Sequence, residues 1–174
     1  MSNGPERVKK PIVLVGLPGA GKTTVGRRLA RRLRLPFADA DAEIEAAAGL
    51  SVAEIFERFG EAHFRDGERR VIARLIEGPP RVIATGGGAF VNPDTRALIL
   101  ERGIAIWLDG DIALLAERAS RSGRRPLLDR ADPVRSLQAL AELRNPFYAE
   151  AHLRIRSDGR HEETVARIVA ALGV

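Results

Sequence analysis

Gly16-Leu17-Pro18-Gly19-Ala20-Gly21-Lys22-Thr23 lies between two segments of opposite character. Before it, Pro11-Ile12-Val13-Leu14-Val15 is a short apolar, β-branched run bounded by Pro and Gly, which predicts a buried strand. After it, from Thr23 to Leu33, Val25, Leu29, Ala30 and Leu33 recur at helical spacing with arginines on the opposite face. The intervening turn fits the spacing G-x-x-x-x-G-K-[ST]. Its glycines let backbone N–H groups turn inward around an anion, and the helix N-terminus behind them adds its dipole. The reading is a nucleoside triphosphate site with Gly19, Ala20, Gly21, Lys22, Thr23 and Thr24 as its contacts. Lys22 reaches the β- and γ-phosphates, and the Thr23 hydroxyl is offered to Mg²⁺.

The alternation of strand and helix continues outward. Leu35–Asp39, Arg81–Thr85, Ile104–Leu108 and residues 152–156 read as further strands. Helices are predicted from the Ser51…Glu54 capping box to Phe59, from Glu61 to Glu77, and from Asn92-Pro93 onward. Others run from Asp111 to about Arg118, from Asp132-Pro133 to Tyr148, and over residues 162–172. Five short strands separated by helices imply an α/β fold whose parallel sheet is covered on both faces. One domain over residues 11–174 follows a polar, non-periodic tail over 1–10, expected to be disordered.

Composition narrows the class. The 174 residues are 45% hydrophobic and 29% charged, which is ordinary globular usage. There is no cysteine, so disulfide frameworks and thiolate metal sites are excluded, and three dispersed histidines do not suggest a metal centre. The apolar runs are too short to span a bilayer, and the first ten residues lack a signal core; a cytoplasmic protein is expected. The net charge is +5, with an isoelectric point near 10.6. Only Lys9, Lys10 and Lys22 among the 28 basic residues are lysines. Lys22 is the one lysine outside the tail, so its ammonium has a task that a guanidinium does not serve.

Four further segments carry candidate chemistry, each with a plainer reading beside it. Asp39 and Asp41, in Phe37-Ala-Asp-Ala-Asp41, fall on one side of the second strand if that strand persists. They then face the ligand crevice at its carboxyl end, one near Mg²⁺ and one at an acceptor hydroxyl; helix capping is the alternative for Asp41. Arg65 and Glu68 are i,i+3 neighbours, and Glu61 is i,i+4 to Arg65: a surface ion-pair ladder, or an arginine held to clamp a carboxylate. Gly86-Gly87-Gly88 permits close approach of backbone to a ligand, or simply makes a turn. The third strand ends without an acid, leaving Mg²⁺ to Thr23 and, through water, Asp39. The arginine-rich segment Arg118 to Leu128 is a solvated charge run or a lid that closes over phosphates. Arg144 is locally uninformative.

In order and approximate spacing, GLPGAGKTT, FADAD, FRDGE, GGG, RRPLL and RNPFY resemble the shikimate kinase family over about residues 11–172. The resemblance implies a P-loop, nucleoside-monophosphate-kinase-like three-layer fold with a five-stranded parallel sheet in the order 2-3-1-4-5. It implies substrate-binding helices over about 40–70 and a lid over about 119–131. It also implies transfer of the ATP γ-phosphate to the 3-hydroxyl of shikimate, a step toward chorismate and the aromatic amino acids. Asp41 would then bind the reacting hydroxyl and serve as candidate base, with Lys22 and the lid's Arg125 at the phosphates and Asp39 supporting Mg²⁺ through water. Arg65 and Arg144 would hold the substrate carboxylate, Glu68 would orient the site, Gly86, Gly87 and Gly88 would lie against the ring, and Arg118 would pack on adenine. The loop Ser157-Asp158-Gly159-Arg160-His161 departs from the family in lacking a proline. A monomer that binds neither nucleic acid nor membrane is expected. The alternatives are another small-molecule kinase, such as a gluconate kinase, and a basic nucleotide-binding module acting on nucleic acid.

Overall fold

The computed structural model describes residues 8–122 and 131–174. Most of the tail predicted over 1–10, and Arg124 and Arg125 of the predicted lid, lie outside the described residues. Strands β1 (Ile12–Val15), β2 (Phe37–Asp39), β3 (Val82–Ala84), β4 (Ile104–Asp109) and β5 (Leu153–Arg156) form one sheet. Its order is β2-β3-β1-β4-β5, and every pairing is parallel. The order is therefore the one the family resemblance implies.

The helices are α1 (Lys22–Leu33), α2 (Ala40–Ala48), α3 (Val52–Phe59), α4 (Glu61–Glu77), α5 (Pro93–Arg102), α6 (Ile112–Ser122), α7 (Pro133–Tyr148) and α8 (His161–Leu172), with a 3-10 turn at Ala89–Val91. From β1 the chain passes the position of β3 to reach β2 at one edge, whereas the connections β2 to β3, β3 over β1 to β4, and β4 to β5 all run toward the other edge. Right-handed crossovers consequently put α1 on one face and the later connections on the other. The packing agrees: α1 lies on α8, while α4 lies on α5 and α6 on α7. The central strand explains why its sequence is unbroken apolar, since all four residues of β1 are buried. Ile12 and Val13 of β1 align with Val82 and Ile83 of β3 and with Ile104 and Ala105 of β4. The core continues through Leu29, Ile72, Phe90, Ile99 and Leu115.

The condition that would place Asp39 and Asp41 on one side is not met, and one helix boundary differs from the sequence expectation. The second strand does not persist to Asp41: it ends at Asp39, and α2 begins at Ala40. Asp39 caps α2, its Oδ1 accepting from the Ala42 amide at 3.2 Å, so the cap is Asp39 and Asp41 sits in the first helical turn. Period-two alternation therefore does not relate the two acids. Hydrophobic periodicity does not mark helix α2, because only Ala40 and Ile44 of its nine residues are buried and leave no clear apolar stripe; only the family resemblance, with helices over about 40–70, implies it. Helix α6 extends to Ser122, beyond the expected end near Arg118.

Candidate active site

The ligand crevice of such a sheet lies beyond the strand carboxyl ends, where the direction of connection reverses. Between β1 and α1, Gly16 to Gly21 forms the phosphate turn, and Thr23 and Thr24 stand exposed in the first turn of α1. Gly19 has φ +82°, and a Cβ there would lie 2.1 Å from the Leu115 carbonyl oxygen. No side chain fits at that position. Lys22 is buried, and its Nζ donates to the carbonyls of Gly16 (2.6 Å) and Leu17 (3.0 Å). The ammonium thus folds back over its own loop. The Thr23 Oγ1 donates to Asp39 Oδ2 at 3.1 Å, which joins the two residues expected to serve a metal.

These two oxygens are hard donors of the kind Mg²⁺ prefers. Among the described residues no group of three His, Cys, Asp or Glu side chains is arranged to hold a metal alone. That suits an ion taking most of its shell from phosphate and water, since Mg²⁺ is commonly held by one or two protein oxygens. The donor set fits.

On the far side of the turn, the loop after β5 is tied to the phosphate loop. Ser157 Oγ donates to the Ala20 carbonyl at 2.6 Å, and the His161 ring packs where a Gly21 side chain would project. Arg118, from α6, donates to the carbonyls of Ser157 (2.7 Å) and Gly159 (3.0 Å), which fixes its guanidinium beside this loop. Burial, with Arg118 and Arg28 nearby, lowers the His161 pKa below the ordinary imidazole value and favours the neutral ring.

The remaining candidates converge from three helices onto the glycine turn after β3. A Cβ on Gly86 would lie 2.9 Å from Asp41 Oδ1, brought by α2. One on Gly87 would lie 2.5 Å from Arg144 Nη1, brought by α7, and one on Gly88 2.3 Å from Arg65 Nη2, brought by α4. Each glycine thus carries one of the three residues expected to grip an acceptor, and the turn is bare so that they can approach. Arg65 Nη1 donates to Glu68 Oε1 at 2.9 Å, and its Nε lies 3.5 Å from Glu61 Oε1. Glu68 is 1% exposed, and burial raises its pKa to about 7 against the pull of Arg65 and Arg144, with Asp41 adding to the rise. The ladder read from sequence is therefore half true: Glu61 is its exposed rung, and Glu68 is buried behind the guanidinium.

A cavity of about 230 Å³ opens here, lined by Glu61, Arg65, Gly88, Val91, Asn92 and Arg144. Its walls offer two guanidinium groups to a small anionic molecule.

A model of the shikimate kinase family matches residues 18–173. The chain belongs to the shikimate kinase family. A shikimate kinase of Caulobacter vibrioides is 58% identical over 164 residues, covering 94% of this chain and 82% of the relative. Among solved structures, a shikimate kinase from Acinetobacter baumannii in complex with shikimate superposes with a TM-score of 0.90. It is 38% identical, covering 95% of this chain and 94% of that one. A gluconokinase from Sinorhizobium meliloti shares the fold at a TM-score of 0.62 with 18% identity, covering 96% of this chain and 97% of its own.

Three features of this family member were not legible in its sequence. Val91 and Asn92 line the cavity although nothing in their local pattern marks them, and Ser157 reaches the phosphate loop across 137 positions. Tyr148, seen only as the end of RNPFY, is fully buried and touches both the phosphate loop and the glycine turn.

Proposed function

We propose that the protein transfers the γ-phosphate of ATP to the 3-hydroxyl of shikimate, giving shikimate 3-phosphate and ADP on the route to chorismate and the aromatic amino acids. The observation that carries this reading is the convergence of Asp41, Arg144 and Arg65 on Gly86, Gly87 and Gly88. A small polyhydroxylated acid needs a carboxylate clamp, a hydroxyl-reading acid and bare backbone against its ring, and these are what meet there.

In this reading Arg65 and Arg144 bind the acceptor carboxylate, and Glu68 holds Arg65 in its forked geometry from behind. Asp41 accepts the hydrogen bond of the reacting hydroxyl and takes its proton as the oxygen attacks phosphorus. The phosphate turn, Gly19 to Thr24, cradles the triphosphate through backbone N–H groups, and Lys22 exchanges its loop carbonyls for phosphate oxygens. Thr23 and, through water, Asp39 would hold Mg²⁺, which would supply positive charge against the phosphate oxygens. Arg118 offers its guanidinium plane to adenine, held flat by its two carbonyl bonds. Arg125, outside the described residues, is assigned to the phosphates from a lid over about 119–131.

We assign the activity to a cytoplasmic monomer that is one domain over residues 11–174, with its acceptor-binding helices over about 40–70. Among the described residues no helix is long and apolar enough to cross a membrane. The basic side chains are interleaved with acids, as in Arg28–Glu162, Arg69–Asp66 and Arg74–Glu43, rather than forming an uninterrupted stripe for nucleic acid.

A coupled ADP-release assay tests the function. Turnover dependent on shikimate, and not on gluconate, is expected; turnover with gluconate alone would shift the assignment to the gluconate kinase alternative.

A further inference from the structure

Tyr148 closes α7 with its side chain fully buried and its ring tilted on Trp107, 5.9 Å between centroids. Its hydroxyl stands between two carbonyls from opposite halves of the site. One is Gly16, which opens the phosphate turn, at 3.2 Å; the other is Gly87, the middle residue of the glycine turn, which accepts a short hydrogen bond. A phenol has one proton and serves one carbonyl at a time. The Gly16 carbonyl is already served by Lys22 Nζ at 2.6 Å, so the Tyr148 proton goes to Gly87.

We infer that Tyr148 is a positioning residue whose single hydroxyl proton couples the nucleotide half of the site to the acceptor half. The inference rests on the proposed reading, in which phosphates draw Lys22 off its loop and the acceptor lies against the glycine turn. When Lys22 leaves, the Gly16 carbonyl loses its ammonium donor. Gly16 is buried, and a buried carbonyl without a donor is costly. The Tyr148 hydroxyl, 3.2 Å away, turns to it. The Gly87 carbonyl is released in exchange. Gly87 is only half-buried and lies under Arg144, so a hydroxyl of the incoming acceptor can replace the phenol there. Nucleotide binding thereby uncovers a hydrogen-bond acceptor for the second substrate, and by linkage the second substrate favours the nucleotide equally.

Calorimetric titration of shikimate into the full-length protein, with and without saturating ADP, reads this coupling as a ratio of dissociation constants. In the wild type ADP is expected to tighten shikimate by about 5–10-fold, within the usual range of such couplings. Tyr148→Phe is expected to bring the ratio to within about 2-fold of unity. A purely structural role would weaken shikimate by the same factor in both titrations and leave the ratio unchanged; that result overturns the inference. Lys22→Met gives an independent reading that leaves the phenol intact. With the ammonium gone, shikimate alone is expected to bind as tightly as it does to the ADP-bound wild type, and unchanged affinity contradicts the exchange. A wild type that binds shikimate with no response to ADP rejects the coupling alone. A wild type that does not bind shikimate rejects the functional reading, and the coupling with it.

Discussion

The two halves of the proposed site, one for the nucleotide and one for the acceptor, are built by opposite strategies. The nucleotide half is local: eight consecutive residues, flanked by the strand and helix that aim them, supply the phosphate turn, Lys22 and Thr23. The acceptor half is assembled, with Asp41 from α2, Arg65 from α4 and Arg144 from α7 meeting on a glycine turn after β3. Backbone N–H groups suffice for an anion that every such nucleotide shares, whereas the shape of one small acid has to be read by side chains arriving from different directions. Charge follows the same division. The buried cation of the local half rests on carbonyls of its own loop, while the assembled half buries a carboxyl, Glu68, behind a guanidinium.

Substitutions that strike one half and spare the other sharpen this contrast. The largest effect is expected from Lys22→Ala, with kcat lowered about 10³-fold, as for loss of a group that stabilises transition-state charge. Steady-state kinetics with both substrates would show it, and near-normal turnover would deny the ammonium its role. Next is Glu68. Its pKa in the folded chain, about 7, lies above the ordinary value of 4.5, so its contribution to stability is whole below about pH 4.5 and is lost as pH rises through 7. Thermal unfolding of the wild type should therefore weaken between pH 5 and 8 by up to about 3 kcal/mol, and Glu68→Gln should flatten that slope. Equal slopes in the two proteins would mean the buried carboxyl is ionised throughout.

Arg65→Ala should raise the shikimate KM about 30–100-fold, the loss expected for a charged hydrogen-bonded clamp. The ATP KM should stay within about 2-fold. An effect confined to ATP would place Arg65 in the wrong half. The smallest change is Gly88→Ala. Gly88 has φ −91°, so alanine brings no backbone strain, only a methyl group against Arg65. A roughly 10-fold rise in shikimate KM, about 1.4 kcal/mol, is expected with little change in thermal stability. An unaltered KM would show that Arg65 yields freely.

What could be read in advance follows from the same contrast. The phosphate turn was legible because its motif, its strand and its helix are contiguous, and the alternation of elements implied a doubly covered parallel sheet. The residues proposed for the acceptor were visible only as short motifs, each open to a plainer reading: Arg65 with Glu68 also read as a surface ladder, and its proximity to Gly88 comes from how β3 and α4 pack. Periodicity misses helix α2 because a short helix with two buried residues has no apolar stripe, and only a second strand continued past Asp39, where it in fact ends, would have aligned Asp39 with Asp41. Tyr148 was visible only as the last residue of RNPFY, with no role attached to it. Its hydroxyl meets Gly16 from 132 positions away, a proximity set by how α7 packs and not by anything written near either residue.

In the proposed complex the glycine turn presents Asp41, Arg65 and Arg144 to one acceptor whose reacting hydroxyl faces the phosphate turn. A crystal structure of the complex with ADP and shikimate measures this directly. The shikimate carboxylate is expected on Arg65 and Arg144, the 3-hydroxyl on Asp41, and the ring against Gly86 to Gly88. Shikimate bound elsewhere, or with its carboxylate toward Asp41, would contradict it.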